Sequence, residues 1–158
     1  MWRELRYFYE EVVWDELLPI ERRALEAAQK VAQQAYAPYS HFPVGAAVVL
    51  EDGRIFTGNN QENAAYPSGL CAERVVLFQV GAAGLSPQIR ILAIYAPRLE
   101  MPVMPCGACR QVMHEYQQHS RFPWTILTAG RGDTVYRFVG TEGLLPLAFA
   151  WKPASPPT

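Results

Sequence analysis

Residues 71–109, CAERVVLFQVGAAGLSPQIRILAIYAPRLEMPVMPCGAC, decide the fold class of this chain. The apolar residues within Ala72 to Val80 suit a buried helix closed by glycines, and Ile89 to Tyr95 is typical of an interior strand. A second helix is predicted from about Gly107 to His119. Because helix and strand alternate here, the stretch indicates an α/β fold in which helices cover a sheet.

The segments on either side extend this alternation. After Pro19, apolar residues recur at three- and four-residue steps, which predicts an amphipathic helix that ends before Pro38. Asp52-Gly53 tolerates the positive φ of a tight turn and therefore predicts a β-hairpin. The further strands are expected at Val44 to Leu50, Arg54 to Thr57, Trp124 to Thr128 and Val135 to Val139, with a weaker pattern at Leu5 to Tyr9.

Length and composition exclude several classes of protein. The chain has 158 residues and a formal net charge of −1, so it lacks the basic excess that binding to a nucleic acid polymer requires. Half of its residues are hydrophobic and 18% are charged, which is too apolar for disorder. Charges begin at Arg3, and no apolar run reaches the roughly 18 residues of a membrane span. We therefore expect a soluble cytoplasmic protein with no membrane partner.

Three cysteines, Cys71, Cys106 and Cys109, favour a metal site. Their odd number without a secretory signal argues against a disulfide framework, although three unrelated core thiols would give the same count. Cys106 and Cys109 open one predicted helix and Cys71 opens another, so three thiolates could occupy three corners of a tetrahedron. The positive partial charge of both helix starts favours thiolate over thiol. Three sulfurs with an open fourth corner favour zinc over iron.

The residues next to Cys71 suit a catalytic metal. Glu73 is not needed as a ligand, and a carboxylate beside a zinc-bound water can take its proton and pass it on. Arg74 could donate hydrogen bonds to the ligand sulfurs, although a solvated helix charge explains it equally well. A structural zinc site would need a fourth protein ligand instead. His41, in a loop, stays open as that ligand, whereas His114 is expected at the surface.

Six ordered motifs resemble those of the small cytidine deaminases, which act on free nucleosides. They are Ala37-Pro38-Tyr39-Ser40, Phe42-Pro43-Val44-Gly45-Ala46-Ala47, Asn60-Gln61-Glu62-Asn63-Ala64-Ala65-Tyr66, Cys71-Ala72-Glu73-Arg74, Pro105-Cys106-Gly107-Ala108-Cys109-Arg110-Gln111 and Leu144-Leu145-Pro146-Leu147-Ala148-Phe149. A three-cysteine ligand set with a glutamate that is not a ligand is a known arrangement of zinc deaminases. The resemblance, from Ala35 to Phe149, implies a layered α-β-α fold with a mixed, roughly five-stranded central sheet.

On this basis the chain divides into three parts. Residues 21–151 form the expected catalytic domain, residues 152–158 a tail that we expect to be disordered, and residues 1–20 an N-terminal extension beyond the family core. The extension is aromatic and half apolar. We therefore expect it to add an edge strand or to cover a boundary between subunits.

The resemblance also implies a site and a reaction. Cys71, Cys106 and Cys109 would bind one zinc ion, with Arg74 supporting their sulfurs. Glu73 would carry protons while activated water attacks C4 of the pyrimidine, so that cytidine and deoxycytidine become uridine and deoxyuridine plus ammonia in pyrimidine salvage. Contacts with the substrate are implied for Phe42, Asn60, Glu62, Tyr66 and Phe149. The implied assembly is a homotetramer with shared active sites, in which Tyr39, Tyr66 and Phe149 help to build a neighbour's pocket.

Other interpretations stay open beside this one. Deamination of another aminopyrimidine, such as the antibiotic blasticidin S, needs the same chemistry, but Asn60 and Glu62 indicate a ribose. A non-catalytic zinc would only hold two helices together. A polynucleotide editor is disfavoured because basic and aromatic residues are not interleaved near the motifs. Ordinary loop polarity would also explain Asn60 and Glu62, and hydrophobic packing would explain the aromatic residues.

Overall fold

A computed structural model describes residues 1–151, and the tail expected to be disordered, residues 152–158, lies outside the described residues. The described part contains three α-helices, α1 (Pro19–Ala32), α2 (Ala72–Ala82) and α3 (Gly107–Gln118). Its strands are β1 (Glu10–Val13), β2 (Gly45–Leu50), β3 (Ile55–Asn59), β4 (Ile89–Tyr95), β5 (Thr125–Ala129) and β6 (Thr134–Val139). No helix within residues 1–151 is long and apolar enough to cross a membrane.

The strands form one mixed sheet in the order β1-β6-β5-β4-β2-β3. The β4 and β5 strands run parallel, whereas the other neighbouring pairs are antiparallel. The Asp52-Gly53 hairpin is confirmed: β2 and β3 pair directly, and Gly53 has a φ of 82°.

The sheet has six strands, so the expectation of roughly five was wrong. The additional strand is β1, which lies in the N-terminal extension and pairs with β6 at the sheet edge. It covers Glu10–Val13 rather than Leu5 to Tyr9. It pairs with β6 from Glu10 to Val13, and the carboxylate of Glu10 lies 2.7 Å from its partner, the Nη1 atom of Arg137. That partner is more than one hundred residues away in the sequence.

Helices cover both faces of the sheet. Side chains of a strand alternate between its faces, and along β2 Ala46 and Val48 pack in the cluster shared with α2 and α3. Ala47 and Val49 pack in the second cluster, which α1 covers. The expected α-β-α layering is therefore confirmed, with α1 on one face and the two helices that begin at the cysteines on the other.

A glycine in β3 sets how closely α2 approaches the sheet. A Cβ atom on Gly58 would lie 2.7 Å from the backbone nitrogen of Val76 and 3.1 Å from the carbonyl oxygen of Ala72. Both atoms belong to the backbone of α2, so they cannot turn aside as a side chain could. Gly58 thus allows the helix that begins after Cys71 to lie directly on the sheet.

Candidate functional site

Two helix starts bring three sulfurs together. Cys71 is the residue before α2, Cys106 is the residue before α3, and Cys109 lies in the first turn of α3. Their ligand atoms all lie within 4.8 Å of one another, and the Sγ atoms of Cys71 and Cys106 are 3.9 Å apart. Sulfurs at two corners of a zinc tetrahedron would be about 3.8 Å apart, given a Zn–S distance of about 2.3 Å. The spacing therefore fits one tetrahedral zinc ion.

The electrostatic surroundings also fit a thiolate site. Hydrogen bonding with Cys109, together with the hydrogen bond and positive charge of Arg74, lowers the pKa of Cys71 to about 5. The same bond raises the pKa of Cys109, because it keeps the proton on that thiol. The Nη2 atom of Arg74 lies 3.6 Å from the Cys71 sulfur, while its buried Nε has no partner among residues 1–151. A cation placed to offset negative sulfur is what a set of thiolate ligands requires.

Glu73 is the buried acid of the site. It lies in the first turn of α2, and only 4% of its surface is exposed. Burial raises the pKa of Glu73 to about 7, and the negative charge of Cys71 acts in the same direction. A carboxyl group with this pKa can both accept and release a proton near neutral pH.

Neither histidine considered as a fourth ligand joins the sulfurs. Among the described residues, the group that could hold a metal contains the three cysteines and excludes His41. His114 was expected at the surface, and this expectation was wrong, because only 8% of it is exposed. Its Nδ1 atom lies 3.0 Å from the hydroxyl of Thr141, in the segment after β6 that covers this side of α3. That segment lies too far along the chain for helical periodicity to reveal its contact.

A pocket of about 500 Å³ opens beside Cys71, between loop residues and the start of α2. The expected site residues that line it are Tyr39, Asn60, Glu62, Tyr66, Cys71 and Arg74. Asn60 and Glu62 are the polar members of this set, and the ring centroids of Tyr39 and Tyr66 are 6.1 Å apart.

Asn60 and Glu62 also hold the loop before β2. The Asn60 side chain accepts a hydrogen bond from the Val44 backbone at 2.8 Å and donates one to the Phe42 carbonyl at 3.0 Å. One N–H and one lone pair of this amide are left for a ligand. Glu62 accepts from the hydroxyl of Ser40, which lowers the pKa of Glu62 and keeps it ionised as an acceptor. Sequence reasoning gave Ser40 no role, although it ends the first of the six motifs.

Two expected substrate residues lie outside this pocket. Phe42 is half-buried and packs against the core cluster under α2 and α3. Phe149 is 71% exposed, and neither side chain lines the pocket within one chain. Sequence reasoning also left Arg110 and Gln111 without a role, yet both side chains bind backbone carbonyls of the segment that leads to Phe149.

Comparison with known proteins agrees with this geometry. The family model "Cytidine and deoxycytidylate deaminase zinc-binding region" matches residues 19–124. The cytidine deaminase of Sporosarcina psychrophila is 44% identical over 128 residues, which are 81% of this chain and 90% of that protein.

Solved structures give the same result. The cytidine deaminase from Burkholderia pseudomallei has a TM-score of 0.71 and 42% identity, over 80% of this chain and 97% of that one. The enzyme from Mycobacterium tuberculosis has a TM-score of 0.63 and 33% identity, over 82% and 96%. Fold and sulfur site together define a zinc-binding deaminase domain. This chain belongs to the cytidine and deoxycytidylate deaminase family.

Proposed function

We propose that this protein is a zinc-dependent cytidine deaminase, which hydrolyses cytidine and deoxycytidine to uridine and deoxyuridine plus ammonia in pyrimidine salvage. The observation that carries the proposal is the placement of three sulfurs within 4.8 Å of one another next to the buried carboxyl group of Glu73. Family membership and the relatives named cytidine deaminase support it.

Cys71, Cys106 and Cys109 would hold the zinc ion, and Arg74 would offset part of their negative charge. When bound, zinc lowers the pKa of water and so supplies a nucleophile near neutral pH. The three sulfurs leave one of four tetrahedral positions for that water, because the described residues place no fourth protein ligand with them.

Glu73 would move the protons of the reaction. Its carboxylate takes a proton from the attacking water and delivers it to N3 of the pyrimidine. It then takes the second proton of that water from the oxygen now bonded to C4 and transfers it to the exocyclic amine. The amine leaves as ammonia, and C4 keeps the oxygen. Burial suits Glu73 to both steps, since its pKa of about 7 makes acceptance and release comparable near neutral pH.

The polar residues of the pocket would bind the sugar. Asn60 retains a free donor and a free acceptor position, and Glu62 remains an ionised acceptor for ribose hydroxyl groups. The family resemblance assigns Phe42 to the aromatic wall of the pyrimidine site, although in a single chain its side chain packs against the core and does not line the pocket. This arrangement favours a nucleoside over an aminopyrimidine without a ribose.

We further propose a homotetramer in which Tyr39, Tyr66 and Phe149 contribute to a neighbour's pocket. Tyr66 is 77% exposed and Phe149 is 71% exposed, so both rings are accessible to a second subunit. A reducing compartment is needed to keep three unpaired thiols available for zinc, which supports a cytoplasmic location. Light scattering coupled to size-exclusion chromatography measures the assembly, and a monomer with full activity would contradict it.

Turnover of defined nucleosides tests the function. Purified protein loaded with zinc should convert cytidine and deoxycytidine, followed by the loss of their ultraviolet absorbance and by ammonia release. A panel that includes blasticidin S separates a nucleoside deaminase from one specific for another aminopyrimidine. A zinc-loaded, folded protein that leaves every member of the panel unchanged would contradict the proposal and indicate a structural metal site.

A further inference from the structure

The segment after β6 is held to the fold mainly at its two ends. Leu144 is buried in the core and lies in a turn, in which the backbone nitrogens of Leu144 and Leu145 donate to the Thr141 carbonyl at 3.0 and 2.9 Å. Beyond that turn the side chains point outward: Leu147 is 86% exposed and Phe149 is 71% exposed. The position of Phe149 therefore depends on polar contacts rather than on burial of its own ring.

Two consecutive side chains of α3 supply those contacts. Arg110 donates from Nη1 to the Leu144 carbonyl at 2.8 Å, and Gln111 donates from Nε2 to the Phe149 carbonyl at 3.0 Å. Both residues directly follow Cys109 in the first turns of the same helix. The helix that contributes two of the three sulfurs thus also binds both ends of the segment that carries Phe149.

Arg110 has a second partner at the metal site. Its Nε atom donates to the carbonyl of Pro105 at 2.8 Å, and Pro105 is the buried residue immediately before Cys106. A guanidinium group is planar and rigid, so its donors hold two acceptors in a fixed relation to each other. The Arg110 side chain therefore ties the peptide before one sulfur to the turn from which the last segment departs.

We propose that Arg110 and Gln111 are positioning residues, which fix segment 144–149 on α3 and so set where Phe149 meets the nucleoside in the neighbouring subunit's pocket. This inference rests on the proposed function, because it assigns Phe149 a contact with the substrate. Neither residue touches the reacting atoms. Their loss should therefore weaken substrate binding while leaving the chemical step and the metal in place.

Gln111→Leu tests the contact with Phe149, and it is suited to the purpose because the bond is exposed. Loss of one hydrogen bond should raise KM for cytidine about fivefold, with kcat and zinc content unchanged. Gln79→Leu is the matched control, because Gln79 is an exposed glutamine of α2 without a side-chain hydrogen bond among residues 1–151. In a Phe149→Ala background, Gln111→Leu should have no further effect on KM, since the two changes act through one contact.

Arg110→Lys tests the contact with the Leu144 carbonyl, and its measurement does not depend on activity. A lysine ammonium group cannot span both carbonyls in the planar geometry of arginine, so hydrogen exchange at the amides of Leu144 and Leu145 should become faster than in the wild type. Arg131→Lys, a change at an exposed ion pair with Glu100, should leave that exchange unchanged. Hydrogen exchange reports on this contact whether or not the wild type deaminates cytidine. A failure to deaminate cytidine would overturn the proposed function but not the contact.

Two results would overturn the positioning role itself. One is that the wild type is active but Gln111→Leu leaves KM for cytidine unchanged, or lowers kcat without raising KM. The other is unchanged exchange at Leu144 and Leu145 after Arg110→Lys.

Discussion

Glu73 is the residue on which the proposed chemistry depends most. It lies two positions after a sulfur-bearing residue, is 4% exposed, and has its pKa raised to about 7 by burial. A buried carboxyl group beside the thiolate ligands is suited to exchanging protons. The same burial leaves little room for any larger side chain, so a conservative variant is needed to test its role.

Glu73→Gln should retain zinc and the fold but lose turnover, because an amide of the same shape cannot shuttle a proton. We expect kcat to fall by a factor of about one hundred to ten thousand, which is the usual contribution of general acid–base catalysis. Zinc content per chain and steady-state kinetics measure the two effects separately. Cys106→Ala should instead lose zinc and stability together, and near-normal deamination by Glu73→Gln would remove the role assigned to that carboxyl group.

At the scale of elements, α2 is the element whose placement matters most for the site. It begins directly after Cys71, carries Glu73 and Arg74, and lies against β3 at Gly58. The 2.7 Å approach leaves no space for a methyl group, so any side chain there must move the helix away from the sheet.

Gly58→Ala should therefore lower stability by about 1–3 kcal/mol, the usual cost of overpacking. It should also lower zinc affinity, because the start of α2 moves with the helix. Thermal unfolding and zinc competition measure the two effects. Gly107→Ala is the matched control, since a Cβ there meets nothing within 4 Å, and equal stability of the two variants would contradict the close approach.

Local chemistry explains which elements could be predicted from the sequence. Asp52-Gly53 and the closing Gly84 specify positive φ, observed as 82° at Gly53 and 71° at Gly84, so the hairpin and the end of α2 follow from neighbouring residues alone. The α1 helix ends at Ala32, before Pro38 as expected, and does not continue through the residues between them. Tyr36 instead pairs across the chain with Gln61, a contact that helical periodicity cannot reveal.

The candidate site likewise combines features that the local sequence predicts with contacts that it does not. Clustering of the three sulfurs is predictable, because each occurs at a helix start that the sequence marks. The burial of His114 depends on Thr141, and the contacts of Arg110 depend on Pro105 and Leu144. Such long-range contacts leave no local pattern, so the structure is needed to find them.

At the scale of the whole molecule, the N-terminal extension supplies the strand at one edge of the sheet. Ring centroids of Tyr9 lie 5.0 Å from Tyr136 and 5.3 Å from Phe138, and Arg137 joins Glu10 to the buried Glu21 of α1. The extension therefore covers the edge of β6, which would otherwise expose unpaired backbone groups.

A chain that starts at Pro19 should unfold several degrees below the full-length protein, since a loss of about 1 kcal/mol shifts Tm by roughly 2–4 °C at this size. It should also aggregate more readily, because the edge of β6 is bare. Removal of residues 1–8 alone should have little effect, as Tyr9 and β1 remain. Equal melting temperatures and equal assembly for the full chain and the chain from Pro19 would show that the extension supports neither.

The metal centre is itself a property of the whole molecule, since Cys71 and Cys106 are 35 residues apart and meet only in the folded chain. X-ray absorption spectroscopy of the zinc-loaded protein tests the central claim most directly. We expect one zinc per chain, with three sulfurs at about 2.3 Å and one oxygen at about 2.0–2.2 Å. A fourth protein ligand, or a disulfide between cysteines in place of the metal, would contradict it.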